Sequence, residues 1–464
     1  MSFLICIGAL AFLMFVAYRG YSVILFAPVA ALAAVLLTDP AAVLPVYSGL
    51  FMESMVGFVK NYFPVFMLGA LFGKVIEQSG FARSIVSAVI SVVGAERAML
   101  SIVLVGALLT YGGVSLFVVV FAVYPFAAEM FRQGGIPKRL IPGTIALGAF
   151  TFTMDSLPGT PQIQNIIPTT FFKTTGLAAP VLGTIGGIFI LIVGLAYLNW
   201  RRRTAQAAGE GYGSGHLNEP EAVDHHTAVH PIIAILPLFV VGLSNMAITQ
   251  WVGPQIWGDT SKVVLAPGGK ELVQPVSKFL AIWSVEIALV LGILTVLAFA
   301  WKPISARFAE GSKAAIAGSL LASLNTASEY GFGSVIAALP GFLVIKQALT
   351  AIPNPLINEA ITVTTLAGVT GSASGGMSIA LAAMADQFTA AANAAGIPLE
   401  VLHRVASMAS GGMDTLPHNG AVITLLAVTG LTHVQSYKDI FAITCIKTLA
   451  VFVVIGTYYA TGLV

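Results

Sequence analysis

Apolar stretches of membrane-spanning length recur from one end of this chain to the other, and that pattern restricts its fold more than any other feature. Leu4–Tyr18, Leu182–Trp200, Ile232–Ala247 and Phe279–Trp301 are almost uninterrupted. Each approaches the roughly 20 residues a helix needs to cross a hydrocarbon core of about 30 Å. A water-soluble fold is not an alternative. Only 9% of the residues are charged, against about a quarter in an ordinary soluble domain, and such a surface would aggregate in water. The solvent for most of the protein is lipid, which predicts an all-α polytopic membrane protein.

The first apolar run leads through Arg19 straight into another, without the small-residue cleavage site of a removable leader, so it is expected to stay as the first span. Cys6 and Cys445 both lie in apolar runs, which argues against a disulfide framework or a thiolate metal site and predicts that both pack within helices. A net charge of +2 without a basic stripe gives no footing for a nucleic-acid partner. No cofactor or metal is expected.

One polar stretch interrupts the pattern, residues 201–230, headed by Arg201-Arg202-Arg203. It reads as a solvated linker between a first membrane repeat, residues 1–200, and a second, residues 231–464. The flanking segments resemble each other. Gly112-Gly113-Val114-Ser115 matches Gly375-Gly376-Met377-Ser378 at an offset of 263, Gly135-Ile136-Pro137 matches Gly396-Ile397-Pro398 at 261, and Met154-Asp155-Ser156-Leu157-Pro158 matches Met413-Asp414-Thr415-Leu416-Pro417 at 259. Three ordered matches with so small a drift indicate an internal repeat. Glu77-Gln78-Ser79-Gly80-Phe81 against Glu329-Tyr330-Gly331-Phe332 is a weaker fourth.

Internal repeats of this kind are common in secondary carriers, where they are often inverted in the membrane. Lys and Arg favour the cytoplasmic side. Arg132, Lys138 and Arg139 beside the first Gly-Ile-Pro loop and Arg201–Arg203 then fall on that side together. Counting spans onward through Lys302, Arg307 and Lys313 places the second Gly-Ile-Pro loop outside, where Glu400 and Arg404 leave no positive excess. The repeats are therefore predicted to be inverted, each with a re-entrant hairpin, a loop and a discontinuous helix.

Pro and Gly within a span are tolerated where the freed backbone groups meet protein or a water-lined cavity. Asp155–Pro161 reads Asp-Ser-Leu-Pro-Gly-Thr-Pro, and Asp414–Gly420 reads Asp-Thr-Leu-Pro-His-Asn-Gly. Each should unwind a helix and leave a half-helix N-terminus whose N–H groups suit an anion. Tyr111–Ser115 and Gly371–Ser378 have the composition of hairpin tips. The four breaks would surround one cavity for a small organic-acid anion. Because no Arg falls in these motifs, its carboxylate would be held by backbone around Gly113, Gly159 and Gly376 and by Ser115, Ser156, Thr160, Ser374, Ser378, Thr415, His418 and Asn419. The competing view is that small residues merely allow close helix packing.

Acidic side chains inside spans are costly and mark function. Asp155 and Asp414 occupy equivalent repeat positions and Glu329 lies in an otherwise apolar stretch, so these three and His418 are candidates for proton or ion coupling. The alternative for each Asp is an N-cap on the new half-helix. His418 stands where the first half has Gly159, and that asymmetry favours substrate recognition. His216, His225, His226 and His230 accompany Glu219, Glu221 and Asp224 in the linker, which reads as a flexible acidic loop rather than a metal site. Glu77 could belong to an interfacial loop with Lys74 and Arg83.

With the Gly-Gly-Val-Ser tip, Asn325–Gly333, the Gly-Ile-Pro loops and the Asp-x-Leu-Pro breaks in view, the chain resembles the gluconate permease family over nearly its whole length. The resemblance implies a homodimer in a bacterial inner membrane, with a scaffold domain and a mobile transport domain moving like an elevator. The Leu-Pro-His-Asn-Gly stretch departs from the Ser-His-Val-Asn-Asp of the sugar-acid members and is similar to permeases of 3-hydroxybutyrate and related short monocarboxylates. Proton symport is the implied mode, with sodium as the alternative. Gluconate or citrate carriage and a passive anion channel are the competing functions. A membrane-embedded enzyme would need a nucleophile and base or a His-Glu-x-x-His pattern, and neither occurs.

Overall fold

The computed structural model describes residues 2–19, 21–94, 97–114, 116–220, 229–344, 352–417 and 419–464. The expectations placed on Ser115, His418, His225, His226, Glu221 and Asp224 fall outside them.

The first half opens with α1 (Ser2–Tyr18), α2 (Val23–Thr38) and α3 (Met52–Gln78), the last entered through a π-helical turn, Val46–Phe51. It continues with α4 (Phe81–Val93), α5 (Ala98–Tyr111), α6 (Leu116–Gln133), α7 (Ile141–Ala149), the single turn α8 (Phe152–Asp155), α9 (Ile163–Phe172) and α10 (Pro180–Ala207). The second half runs α11 (Pro231–Ala247), α12 (Val276–Ser305), α13 (Phe308–Ala338), α14 (Pro355–Thr370), α15 (Ala373–Ala394), α16 (Leu399–Ser410), α17 (Gly420–Thr429) and α18 (His433–Thr461). Among the described residues, five helical segments are long and apolar enough to cross a bilayer: Pro40–Gln78, Pro180–Ala207, Pro231–Trp257, Lys278–Ser305 and His433–Thr461.

The expectation of an all-α chain needs one correction. Thr260–Val263 and Leu272–Pro275 form an antiparallel ribbon between α11 and α12, with Thr260 opposite Pro275 and Val263 opposite Leu272. The β-branched Val263 and Val273 suit a pleated strand, and Gly268, at φ +74°, supplies the left-handed residue of the intervening turn.

Helix contacts recur in the same order in both halves. The pair α1 and α2 is repeated by α11 and α12, α5 against α6 and α7 by α14 against α15 and α16, and α9 on α15 by α17 on α6. The helices sort into two groups. In one, α3 and α13 pack along each other, flanked by α2 and α12; the other holds α5–α10 and α14–α18, and α15 lies along α13 at the seam. The equivalent helices α10 and α18 run antiparallel, for Arg201 at the end of α10 meets Asp439 near the start of α18, while Val181 at the start of α10 donates to Val464 O (3.3 Å).

The linker is less free than its composition suggests. Residues 201–207 continue α10, and the next thirteen residues form a strap. Glu210 takes a bidentate pair from Arg139 (2.7 and 2.8 Å), and Glu219 pairs with Arg132 and with the buried Lys138 (2.8 Å). Asn218 reaches the second half, donating to Ala427 O (2.8 Å). Lys74 and Glu77 pair within the exposed last turns of α3 (3.1 Å), in helix and not in the interfacial loop that the sequence suggests. Cys6 is buried, whereas Cys445 sits in α18 but is exposed on its surface, so only the first packs as expected.

Candidate functional site

Each half carries one broken helix, and its two pieces flank a buried polar stretch. In the first half α7 stops at Ala149, α8 makes one turn, and the chain stays irregular to Gln162 before α9 begins. Gly159 takes a left-handed conformation (φ +80°) and donates its N–H to Gly176 O (2.8 Å). In the second half α16 ends at Ser410 and α17 starts after Asn419.

Each hairpin tip is tied to the break of its own half by the residue that precedes the second half-helix. Gln162 donates from Nε2 to Thr110 O (2.7 Å), and Asn419 donates from Nδ2 to Gly371 O (2.7 Å). Tyr111 adds a bond to Pro158 O (2.8 Å). The two breaks also meet each other. Arg404, wholly buried on α16, donates from Nη1 to Asp155 O and to Asn165 Oδ1 (both 3.1 Å) and from Nη2 to Ala178 O (2.7 Å). Ser407 donates to the same Asp155 carbonyl (2.8 Å). The four breaks predicted from composition are thus joined through one chain of contacts.

The buried side chains fix their own tautomers. Asn165 spends its amide nitrogen on Thr160 O (2.9 Å) and Gly176 O (2.8 Å), so its Oδ1 faces Arg404 and His403. Nε2 of His403 therefore carries the proton, and Nδ1 accepts from the Thr174 hydroxyl (2.6 Å).

A buried ionic cluster lies where the breaks meet. Lys447 of α18, 2% exposed, places Nζ 2.7 Å from Asp414 Oδ1 and donates to Phe150 O (2.9 Å). Asp155 Oδ2 comes to the same place: a Cβ built on Gly411 would overlap Asp155 Oδ2 and lie 3.2 Å from Lys447 Nζ. The equivalent aspartates of the two repeats thus converge beside one lysine. Neither is an N-cap, which corrects that alternative. Asp155 ends α8, α9 has no side-chain cap, and α17 is capped by Asn419, whose Oδ1 accepts from Ala421 N (2.7 Å) and Val422 N (3.0 Å).

Other predicted residues divide by what their polar atoms already do. The hydroxyls of Ser156 and Ser378 are buried and have no hydrogen-bond partner among the described residues. Thr160 accepts a long bond from Gln162 N (3.5 Å), and Thr415 turns its hydroxyl to Thr444. Asn419 spends its Oδ1 on the cap and one amide N–H on the tie. Ser374 bonds Thr326 (3.2 Å) at the seam between the helix groups. Glu329 is buried at that seam too, beside Gly375, with Oε2 unpaired among the described residues.

The Gly-Gly-x-Ser match is out of register with the structure. Gly112 and Gly113 form the first tip (Gly113 at φ +95°), but the second tip is Gly371-Ser372, and Gly375 and Gly376 lie inside α15. They are glycines for space. A Cβ on Gly375 would overlap the Glu329 carboxylate, and one on Gly376 the backbone of Ala367. Nor are Glu77 and Glu329 equivalent, since one ends α3 in the open and the other is buried within α13.

Arg404 and Lys447 went unforeseen. Arg404 was expected on an outer loop, and a guanidinium was expected to be absent from the breaks. It is instead buried in helix against the first break, because the loop before it ends at Pro398. Lys447 sits in a 29-residue helix otherwise apolar enough to span, a signal that could have found it. Glu359, buried on α14 with both oxygens unpartnered among the described residues, was missed as well.

Helices of bilayer length, together with two further helices broken around buried polar residues and stitched to hairpin tips, are the architecture of a multi-pass membrane transporter. The chain is 58% identical over 474 residues, with 100% of both chains covered, to the uncharacterized transporter YxjC of Bacillus subtilis (strain 168), and it belongs to that transporter's family. Its fold is like that of the YdaH transporter of Alcanivorax borkumensis (TM-score 0.59, 14% identity, 92% of this chain and 90% of that one). It is also like Neisseria gonorrhoeae MtrF, described with a class of antimetabolite efflux pumps (TM-score 0.54, 13% identity, 91% and 85%). No family model matches the sequence.

Proposed function

We propose that this transporter is a proton-coupled secondary carrier of a small hydroxy-monocarboxylate such as 3-hydroxybutyrate, acting in a bacterial inner membrane. The observation that carries the reading is the convergence of Asp155 and Asp414, one from each repeat, beside Lys447 at the junction of the broken helices. Two carboxylates balanced by the Lys447 ammonium and the Arg404 guanidinium form a cluster that can gain and lose a proton as the site opens to either side. The unpartnered hydroxyls of Ser156 and Ser378 and the uncapped start of α9 offer donors for a carboxylate.

The repeats are inverted in this reading. The antiparallel course of α10 and α18 supports it, as does the meeting of Arg139 and Arg201 at Asp439, which puts both positive clusters at one end. The group built on α3 and α13 serves as scaffold, the group carrying the breaks moves as an elevator, and two copies form a homodimer. The gluconate permease resemblance supports this arrangement and the substrate class.

Reconstitution into proteoliposomes tests the carrier. Labelled 3-hydroxybutyrate should accumulate uphill under an imposed pH gradient, and a protonophore should collapse the accumulation. Flux indifferent to the gradient would establish a channel, and counterflow of gluconate alone would move the substrate to the sugar acids. Ser156→Ala and Ser378→Ala should raise KM with little loss of protein. Asp414→Asn and His418→Ala should abolish or reshape the pH dependence of uptake, and normal transport by both removes the site assignment.

A further inference from the structure

Lys447 fills the place where a coupling metal cation would bind. Its ammonium, buried in α18, is surrounded by oxygen: Asp414 Oδ1 at 2.7 Å, the Phe150 carbonyl at 2.9 Å, and the Asp155 carboxylate across Gly411. Carboxylate and carbonyl oxygens converging from separate segments are the donor set a hard cation takes. The ammonium pairs with Asp414 and has the equivalent carboxylate of Asp155 nearby.

The surroundings close the charge balance. Facing the cluster from α16 is the Arg404 guanidinium, held on the Asp155 carbonyl, with His403 behind it against Asn165 and Thr174. From the end of α5 comes Tyr111, bonded to Pro158 O, and from α18 Tyr437, bonded to Thr415 O. With the two tyrosines protonated and the histidine in its neutral form, two carboxylates stand against two cations. A metal ion entering this set would meet an ammonium already seated among its ligands. A proton needs no such space. Taken up by either aspartate, it leaves the junction of the breaks with one net positive charge, which draws an anion into the site; its loss restores neutrality and lets the anion go.

We propose that Lys447 is a tethered cation that excludes sodium from the coupling site and makes the charge of the Asp155–Asp414–Lys447 cluster the link between proton and anion. The proposal rests on the carrier reading given above. A carrier without this lysine would be free to take a metal ion between the same aspartates.

The test uses the full-length protein in proteoliposomes, with labelled 3-hydroxybutyrate or, where counterflow selects it, gluconate. Wild-type uptake under a pH gradient should be unchanged when sodium is replaced by choline. Lys447→Ala leaves the cluster net negative, so it should lose gradient-driven accumulation by about tenfold or more, exchange the anion more weakly at equal pH, and acquire stimulation by sodium. Where that variant does not assemble, because it strands a buried carboxylate, Lys447→Ala combined with Asp155→Asn and Asp414→Asn leaves Arg404 as a fixed positive charge with no acid to titrate. It should exchange substrate without concentrating it. Sodium-stimulated uptake by the wild type, or gradient-driven accumulation at the wild-type level by either variant, overturns the proposal. Absence of any transport by the wild type instead overturns the carrier reading itself.

Discussion

The two helix breaks occupy equivalent places in the two halves, yet they are held by different means. The first is satisfied largely by side chains reaching over from the second half: Arg404 and Ser407 on Asp155 O, Lys447 on Phe150 O, and Asn245 on Gly159 O (3.2 Å). The other break draws its partners from its own half. Thr444, Tyr437 and His433 serve Thr415 and Pro417, Thr448 serves Gly412 O (2.7 Å), and Asn419 caps its own half-helix. A common backbone plan therefore does not impose a common polar chemistry. The half whose helix start is capped has its N–H groups spoken for, while the start of α9 remains available. The first break is thus the better place to seek the substrate carboxylate.

The largest expected effect of breaking this contrast is at Arg404. Arg404→Ala removes a charged donor from Asp155 O, Asn165 Oδ1 and Ala178 O in a dry interior, leaving Ser407 and His403 to serve the first two, at a cost of about 3–5 kcal/mol. The purified protein should lose its sharp size-exclusion peak or melt well below the wild type. Arg404→Lys should fall nearly as far, since an ammonium cannot span Ala178, Asp155 and Asn165 together. Wild-type melting by either variant would show that the first break does not depend on the second half.

A smaller and more discriminating comparison sets Asn419→Ala against Gln162→Ala. Both lose the tie to a hairpin tip, but only Asn419 also caps, so it should cost about 1–2 kcal/mol more than Gln162, for which about 1 kcal/mol is expected. Thermal unfolding in detergent measures both. Equal shifts would mean that the cap contributes nothing and that the start of α17 is as open as that of α9.

The strap gives the smallest effect. The Arg139 guanidinium, bonded bidentately, holds the Glu210 carboxyl below its ordinary range. The contribution is complete above the ordinary value of about 4.3 and is lost as the pH falls through the lowered folded value. Exposure of the pair keeps it below about 1 kcal/mol. Cleavage between Ala208 and Pro220 by an acid-active protease should rise only at pH values below about 4, whereas Glu210→Gln should be cut faster than the wild type above that range and no faster below it.

The sequence made the spans legible through their apolar runs and the breaks through their repeated Asp-x-Leu-Pro pattern. It misplaced what depends on register and on distance. Gly375 and Gly376 read like a turn because a glycine needed for close approach is the same residue as one needed for positive φ. Capping stays open for Asp155 and Asp414 in the sequence because the pairing of Lys447 with Phe150 spans 297 positions and that of Arg404 with Asp155 spans 249. No local pattern reports such a contact. Arg404 was hidden for the same reason, its helix having been taken for a loop on the strength of one proline.

The dependence of the first break on the second half has a consequence for how the protein is made. At roughly 5–20 residues per second, Lys447 leaves the ribosome on the order of 15–60 s after Phe150. Throughout that interval the first seven helices are in place or inserting with Asp155 lacking its cations and the Phe150 carbonyl lacking its donor. The nascent first half must wait in a state that is structurally incomplete, and a chain stopped before α18 should be a substrate for membrane quality control rather than a half-sized carrier.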